Sequence, residues 1–427
     1  MLTSYIGLAR KYSAVRLYML STFQSSLGTG AAVVALILLA YDRTHSAWGI
    51  TAILAVTMVA LILFALPLGI LADRRGRRKV AVACDVLRCG AFLGAWLAQP
   101  FWLLITFVFL VGVGTAGYSA VAPAVFPLLT EEADGPLAQG AFQFVTYLGE
   151  TLGPLICVGL LSLFAPTVIM LLNAVTFGIN ALIVLRLPFP EISHQQEEQA
   201  GFFKNLLGGW SAVAHHKSLL VMTFSLALFA AAGEILTVGE PVLAIGGVGA
   251  SASFFALMYT FNNGGYALGS LLSSAASERT MIRGWLLGIG GTVGAALAYA
   301  SFTNRWLLLL PFLMLGVGNG MMLSSAAMLI TKLADSHKLA RVFGFMGALG
   351  NLGALLGFMA AANVISDLGA RASFLLAAAG LLAVLGLTTY GLRKEFWEDA
   401  ASNSPGEKAT STPILGAEQP NFLSPWV

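Results

Sequence analysis

The feature that most constrains this chain is the recurrence of apolar blocks of about 20 residues, several without a single charge. Residues 54–71 are one such block. About 20 residues in a helix rise roughly 30 Å, the thickness of a bilayer's hydrocarbon core. Of the 427 residues 58% are apolar and 10% are charged, whereas a soluble domain carries roughly 25% charged residues. The surface must therefore face something other than water. Backbone in lipid has to satisfy its own hydrogen bonds, and the short alternating segments of a barrel are absent, so the blocks read as helices. We place spans near 14–41, 48–72, 80–98, 102–128, 139–163 and 167–187, then near 218–244, 251–276, 284–303, 306–331, 340–364 and 371–393. This predicts an all-α membrane protein with twelve transmembrane helices. The three cysteines, Cys84, Cys89 and Cys157, fall inside spans without metal-ligand spacing and read as reduced, small apolar residues.

Lysine and arginine set the expected orientation. With the N-terminus inside, outer loops hold only Arg43, Arg305 and Arg371, while inner segments hold Arg10, Lys11, Arg16, the run Arg74 to Lys79, Lys332, Lys338, Arg341, Arg393 and others. Both termini are thus expected in the cytoplasm, in a cell (inner or plasma) membrane. No cleavable signal peptide is evident, because the first apolar stretch is too long for a signal core. Residues 188–217 form the longest connection, first polar (HQQEEQ) and then amphipathic (FFKNLLGGWSAVAHH), which suits either a helix on the membrane surface or a simple linker. The expected organisation is a bundle over 1–187, a linker over 188–217, a second bundle over 218–393 and a disordered tail over 394–427.

The two halves resemble each other at an offset near 200 residues. Val111-Gly112-Val113-Gly114 is echoed by Leu315-Gly316-Val317-Gly318, LLTEEAD at 128–134 by LITKLAD at 329–335, and Gly153 by Gly353. The repeat keeps span order and direction, so it relates two six-helix bundles by a pseudo-two-fold axis along the membrane normal. Two such bundles enclose a central cavity, which rocking would open alternately to either side.

The strongest local signal is Gly69-Ile-Leu-Ala-Asp73-Arg74-Arg75-Gly76-Arg77-Arg78, between the second and third spans. It resembles in full the signature G-x-x-x-D-R-x-G-R-R of the major facilitator superfamily, in the loop and on the side where that family carries it. Gly69 is expected to permit close approach of a neighbouring helix and Gly76 a tight turn. The resemblance implies that Asp73 sits against the N-terminus of the eleventh helix near Leu339. It also suggests that Arg77 pairs with an acid after the fourth span (Glu131, Glu132 or Asp134), forming a cytoplasmic latch with Arg74 and Arg78. Alternatively, these arginines only set topology. Asp85 and Arg88, three apart on one helix, can pair across a turn and extend the latch. The second half has Ser273 where an aspartate would fall, so the latch is asymmetric.

Acids deep in a span are functional candidates by default. Glu150 lies in the middle of the fifth span and Glu234 past the middle of the seventh; Glu240 lies nearer the outer end, where it can be wet. A low-dielectric cavity favours a protonated carboxyl, as a proton carrier requires; the alternative is a permanently protonated structural group. Glu150 falls in Gly149-Glu-Thr-Leu-Gly153-Pro154, similar to the superfamily's fifth-span antiporter motif G-x-x-x-G-P-x-x-G-G, with Cys157 and Val158 in place of the last glycines. Pro154 frees a backbone carbonyl and predicts a hinge with Gly149 and Gly153. The fourth-span arginine of many proton-coupled exporters is missing. Gln24, Asn262, Asn263, Asn319 and Asn351 each suit an interhelical hydrogen bond, and together predict a weakly polar cavity lined also by Phe, Met and Tyr.

Within the superfamily, DVLR at 85–88, PAVFPLLTEEAD and FFKNLLGGWSAVAHHKSLL resemble the macrolide- and siderophore-exporter branch. The resulting expectation is proton-coupled efflux of a hydrophobic or amphiphilic small molecule by a monomer, the coupling ion being a proton or sodium. An importer, uniporter or lipid flippase on the same fold is the alternative. No enzyme motif, metal cluster or Walker loop is found, and all five histidines lie in loops. No enzymatic activity, cofactor, metal or nucleic-acid partner is therefore expected.

Overall fold

The computed structural model describes residues 2–125, 129–131, 134–187, 209–273, 278–333 and 339–392, and among these no strand occurs. A short helix α1 (Leu2–Lys11) precedes α2 (Ser13–Thr44), α3 (Ala47–Arg75), α4 (Arg77–Leu97), α5 (Phe101–Val125), α6 (Gly135–Leu163) and α7 (Pro166–Arg186). The second half comprises α8 (Lys217–Pro241), continued by a π-helical turn Val242–Gly247, then α9 (Ala252–Ser273), α10 (Glu278–Ser301), α11 (Leu309–Leu333) and α12 (Leu339–Gly391). Gly369, at φ 77° and ψ 161°, interrupts α12 and divides it into two spans with no intervening loop. With that division, twelve long helices stand where the sequence places twelve spans. Among the described residues ten helices meet a length and hydropathy criterion for crossing a membrane, with Val342–Gly391 counted as one although Gly369 divides it. Helix α9 falls below it because Asn262, Asn263 and two tyrosines dilute its apolar run.

Connections are short where the turn chemistry allows. Only Gly76 separates α3 from α4, and its φ of 96° is a conformation that glycine adopts without strain, as the signature loop predicts. Ser46 caps α3, its Oγ accepting from Trp48 N at 3.2 Å. The fourth span was expected to reach 128, but its helix is described only to Val125.

The repeat in the sequence is a repeat in packing. Helix α2 packs on α6 and α7, α3 on α5, and α4 on α5 and α7; likewise α8 packs on both segments of α12, α9 on α11, and α10 on α11 and α12. Glycines mediate the same contacts in both halves. A Cβ on Gly153 would stand 2.5 Å from Leu27 O, and one on Gly353 would collide with Ala227 O; both members of the pair shift by 200 positions. Gly114 faces Cys84 O and Arg88 on α4, and Gly318 faces Gly288 O and Thr292 on α10, both shifted by 204. Small residues at such crossings let backbones approach closely enough for dispersion to hold helices together in lipid. Between the halves α6 packs on α9 and α3 on α12, the same pair exchanged by the two-fold.

We call the end carrying α1 and the Arg74 to Lys79 run the basic end. At the opposite, far end the halves meet: Thr51 Oγ1 donates to Phe358 O (3.3 Å), and the Tyr41 hydroxyl lies against Gly246. The far halves of α2 and α8 are accordingly buried nearly all round, as at Ala35, Ile37, Leu236 and Val238. Nearer the basic end, residues 61–71 of α3 are all at least partly exposed.

Helix α1 is one the hydropathy pattern does not foresee. Lys11 Nζ binds Glu131 (3.1 Å) and Asp134 (2.9 Å), and the Tyr12 hydroxyl donates to Asp134 (2.8 Å). Tyr5 packs against Phe144 on α6, ring centroids 5.5 Å apart. Two of the acids named as candidate partners of Arg77 thus also bind Lys11, because α1 folds back across the start of α6. Glu132 lies outside the described residues. Within the linker, residues 209–214 are helical; 188–208 and the tail beyond 392 lie outside the described residues.

Candidate functional site

A cavity of about 450 Å³ lies between α2, α3, α4, α5 and α6, with Phe358 of α12 at its far end and Ala122 and Phe142 toward the basic end. Its wall is mostly apolar, as small-molecule sites are. The polar exceptions are hydroxyls on α2, α3, α5 and α6, together with Gln143, Glu150 and Arg88. Most of the threonines are internally satisfied. Thr29, Thr57, Thr115 and Thr146 each donate to the carbonyl four residues back, at 2.9–3.0 Å. Thr22 does not: its Oγ1 is buried without a partner.

Glu150 is the acid that reaches this cavity. Pro154, in the interior of α6, has no N–H to offer the carbonyl four residues earlier, and that carbonyl belongs to Glu150. Asn263 Nδ2, from α9 in the other half, donates to it at 3.1 Å. One residue therefore places its carboxyl in the cavity wall and its carbonyl in a bond across the two halves. Gly149 and Gly153 allow α6 to lie directly on α2; a Cβ on Gly149 would be 2.7 Å from Phe23 O. The predicted hinge residues thus occupy a tight helix crossing as well as a bend-prone site.

The other two acids lie in the second half. Glu234, on α8, is partly buried, and Glu240, near the end of the same helix, is 4% exposed. Its position near a helix end allows Glu240 to be wet. It is dry, because the π-helical turn, α10 and α12 close over it, and it accepts from the Tyr299 hydroxyl at 2.8 Å.

Asp85 and Arg88 pair across one turn as predicted, buried among the helices of the first half. Asp85 Oδ2 also accepts from Asn180 Nδ2 (2.7 Å), whose side-chain oxygen accepts from Ser21. The guanidinium is sandwiched between the rings of Tyr118 and Phe177, 4.3 and 4.2 Å from their centroids. Sequence reasoning placed this pair with the loop and found no arginine on the fourth span; the structure brings Arg88, from the third, against Tyr118 on that helix and into the cavity wall. Gly114 on α5 makes room for the Arg88 side chain, since a Cβ there would stand 2.6 Å from Arg88 Cγ, a contact that no spacing along the chain announces.

The five amides do not line this cavity. Gln24 Nε2 donates to Thr176 O (2.9 Å) and Asn262 Nδ2 to Phe312 O (3.4 Å), bonds between helices like that of Asn263. Asn319 Oδ1 is buried without a partner, and Asn351 is exposed. The aromatic and methionine lining expected of the cavity is present as Phe92, Phe142, Phe177, Tyr118 and Met58. In the signature loop, Arg74 and Arg78 are exposed and Arg77 is half-buried. Among the described residues a Cβ on Gly69 would meet Ala120 of α5 at 3.6 Å, an ordinary contact. The side chain of Asp73 and residues 334–338 lie outside the described residues. Among the described residues no cluster of His, Cys, Asp and Glu could hold a metal ion.

Comparison with known proteins agrees with this architecture. Among curated proteins, the chain is 22% identical over 161 residues to macrolide efflux protein A of Enterococcus faecalis, covering 36% of this chain and 50% of that protein. It is 20% identical over 195 residues to macrolide efflux protein A of Streptococcus pyogenes, covering 44% and 48%. The matches thus span about half the length of these relatives. Among solved structures, the nucleoside transporter NupG superposes with a TM-score of 0.73 at 14% identity, over 89% of this chain and 99% of that one. An inward-facing, occupied bacterial homologue of the human lysosomal transporter Spinster gives 0.70 at 14% identity, over 90% and 97%. The sequence profile of the Major Facilitator Superfamily matches residues 18–247 and 240–415. Twelve spans, packing repeated in both halves and a profile match over both halves all describe one architecture, and this chain is a member of the Major Facilitator Superfamily of transporters.

Proposed function

We propose that this transporter exports a hydrophobic or amphiphilic small molecule by alternating access, driven by the inward movement of protons. Glu150 carries the proposal. Its carboxyl lines an apolar cavity, where gain or loss of a proton changes the charge presented to a ligand. Its carbonyl is bonded by Asn263 in the opposite half, so an event at this residue bears on the contact between the halves. Glu234 is the second candidate carrier. Glu240, bonded to Tyr299 in a closed core, suits a structural role. The similarity to macrolide efflux proteins supports export, and the apolar wall supports an apolar cargo. The distribution of lysine and arginine supports a cytoplasmic basic end, and the far-end contacts then correspond to an inward-facing form. The moving bodies are taken as residues 1–187 and 218–393, joined by the linker in one monomer.

The test is proton release from purified protein on adding hydrophobic candidates, with Glu150→Gln and Glu234→Gln in parallel. Release lost in Glu150→Gln alone identifies the carrier and shows competition between proton and cargo, as antiport requires. Cargo binding without release by the unaltered protein would refute proton antiport and favour an uncoupled importer or flippase.

A further inference from the structure

The cavity belongs to one half of the molecule, with a single exception. Among the described residues that line it, all lie on α2 to α7 except Phe358, which closes its far end from α12. A cargo seated there would therefore touch the second half through one side chain. Phe358 is fixed to that half from behind. Beside it, a Cβ on Gly357 would stand 2.3 Å from Ala231 O, so this stretch of α12 lies in backbone contact with α8. In front, the Phe358 carbonyl accepts from Thr51 Oγ1 of α3 at 3.3 Å. Ile53 and Leu54, less than a turn beyond Thr51, belong to the same cavity wall.

Glu150 has the same construction at the other seam, with its side chain in the cavity wall and its carbonyl bonded by Asn263 of the opposite half. Each seam thus places one side chain in the chamber, a carboxyl at one and a phenyl ring at the other. A ligand shifts a conformational equilibrium only through contacts that differ between the two forms. When the halves part at the far end, Phe358 leaves with the second half and the chamber loses its end wall. The rest of the wall travels with the first half, and the cargo keeps it. We propose that the Phe358 ring is the cargo contact that makes affinity depend on conformation: cargo is held more tightly while the far end is closed and is let go when the ring withdraws. This rests on the apolar cargo and alternating access proposed above, and it names the residue that favours capture at the basic end and release at the far end. The repeat places Val158 of α6 where the second half has Phe358, and Val158 is not among the lining residues, so the device occurs once.

Spin labels at Trp102 and Leu310, exposed at the far ends of α5 and α11, would report the two forms as two distances in the full chain in nanodiscs, with Cys84, Cys89 and Cys157 replaced by alanine. The probe is N-phenyl-1-naphthylamine, neutral and apolar, its binding read by energy transfer from tryptophan. Saturating probe should raise the ratio of far-closed to far-open chains by about fivefold, the worth of one aromatic contact. Phe358→Ala removes the ring but keeps the carbonyl that Thr51 bonds, and should abolish this response. Phe358→Leu, which keeps apolar bulk without a ring face, should reduce it. Thr51→Val should shift the starting ratio away from the closed form by about fivefold and leave the response to probe intact, a contrast that separates a cargo contact from a merely structural ring. A response unchanged in both Phe358 variants, or saturable binding to the unaltered chain with no shift, would overturn the assignment while leaving hydrophobic transport standing. Absence of saturable binding to the unaltered chain would overturn both.

Discussion

Replacing Asn263 by alanine deletes the bond that joins α9 to the Glu150 carbonyl, and the expected effect can be worked out. The bond is 3.1 Å long and joins two neutral groups, so its net value is about 1 kcal/mol, or about fivefold in an equilibrium between conformations. Pulsed electron resonance between spin labels at Arg78 and Leu272, both exposed near the basic ends of opposite halves, would report that equilibrium as two distance populations. Asn263→Ala should shift the ratio of the two populations by about fivefold, away from the form closed at the far end. The reasoning makes a sharper demand in combination with Pro154→Ala. That substitution restores an N–H that can take the Glu150 carbonyl within α6. In its presence Asn263 has less to gain, and the two effects should fall short of additive by about 0.5–1 kcal/mol. Full additivity would refute the view that Pro154 creates the acceptor for Asn263.

Other substitutions probe separate parts of the structure. Gly153→Val should lower thermal stability in detergent by about 1–3 kcal/mol through overpacking against Leu27 and Ala31, whereas Gly159→Ala, with open space around it, should be neutral. Asp85→Ala leaves Arg88 buried and uncompensated and should cost about 3–5 kcal/mol in the same assay. Hydrogen bonds from Lys11, then Tyr12, hold the Asp134 carboxyl below the usual carboxylate range. The depressed folded value means that docking of α1 is supported at neutral pH and weakens as pH falls through that range. Amide protection of α1 should therefore drop on acidification, and Lys11→Met should show the lower protection already at neutral pH.

The spans were legible because lipid imposes one rule on every backbone group, and uncharged runs of the right length have few other uses. The repeat was legible for a related reason. Gly153 and Gly353 mark helix crossings, and a crossing tolerates little besides glycine when a carbonyl stands where a Cβ would go. The wall of the cavity was not legible. A threonine in an apolar helix reads the same whether it bonds to its own helix, as Thr115 does, or is left without a partner, as Thr22 is. Arg88 was misplaced because depth along one helix does not reveal which neighbours stack upon a side chain. The amides were noticed for their polarity, but bonds such as Gln24 to Thr176 O remove that polarity from the cavity. Lys11 was counted only as a topological charge because nothing along the chain shows that α1 folds back.

The break at Gly369 has a mechanical consequence. The two arms of α12 meet at a single residue held at φ 77° and ψ 161°, with no slack between them. Both arms also grip α8: the first brings Gly353 and Gly357 onto Ala227 and Ala231, and the second brings Phe374 onto Gly239. An elbow braced on both sides by one strut cannot flex without prising the strut away. These three spans must travel as a single block, so the give needed for rocking has to lie elsewhere, and the bend-prone α6 in the opposite half offers it.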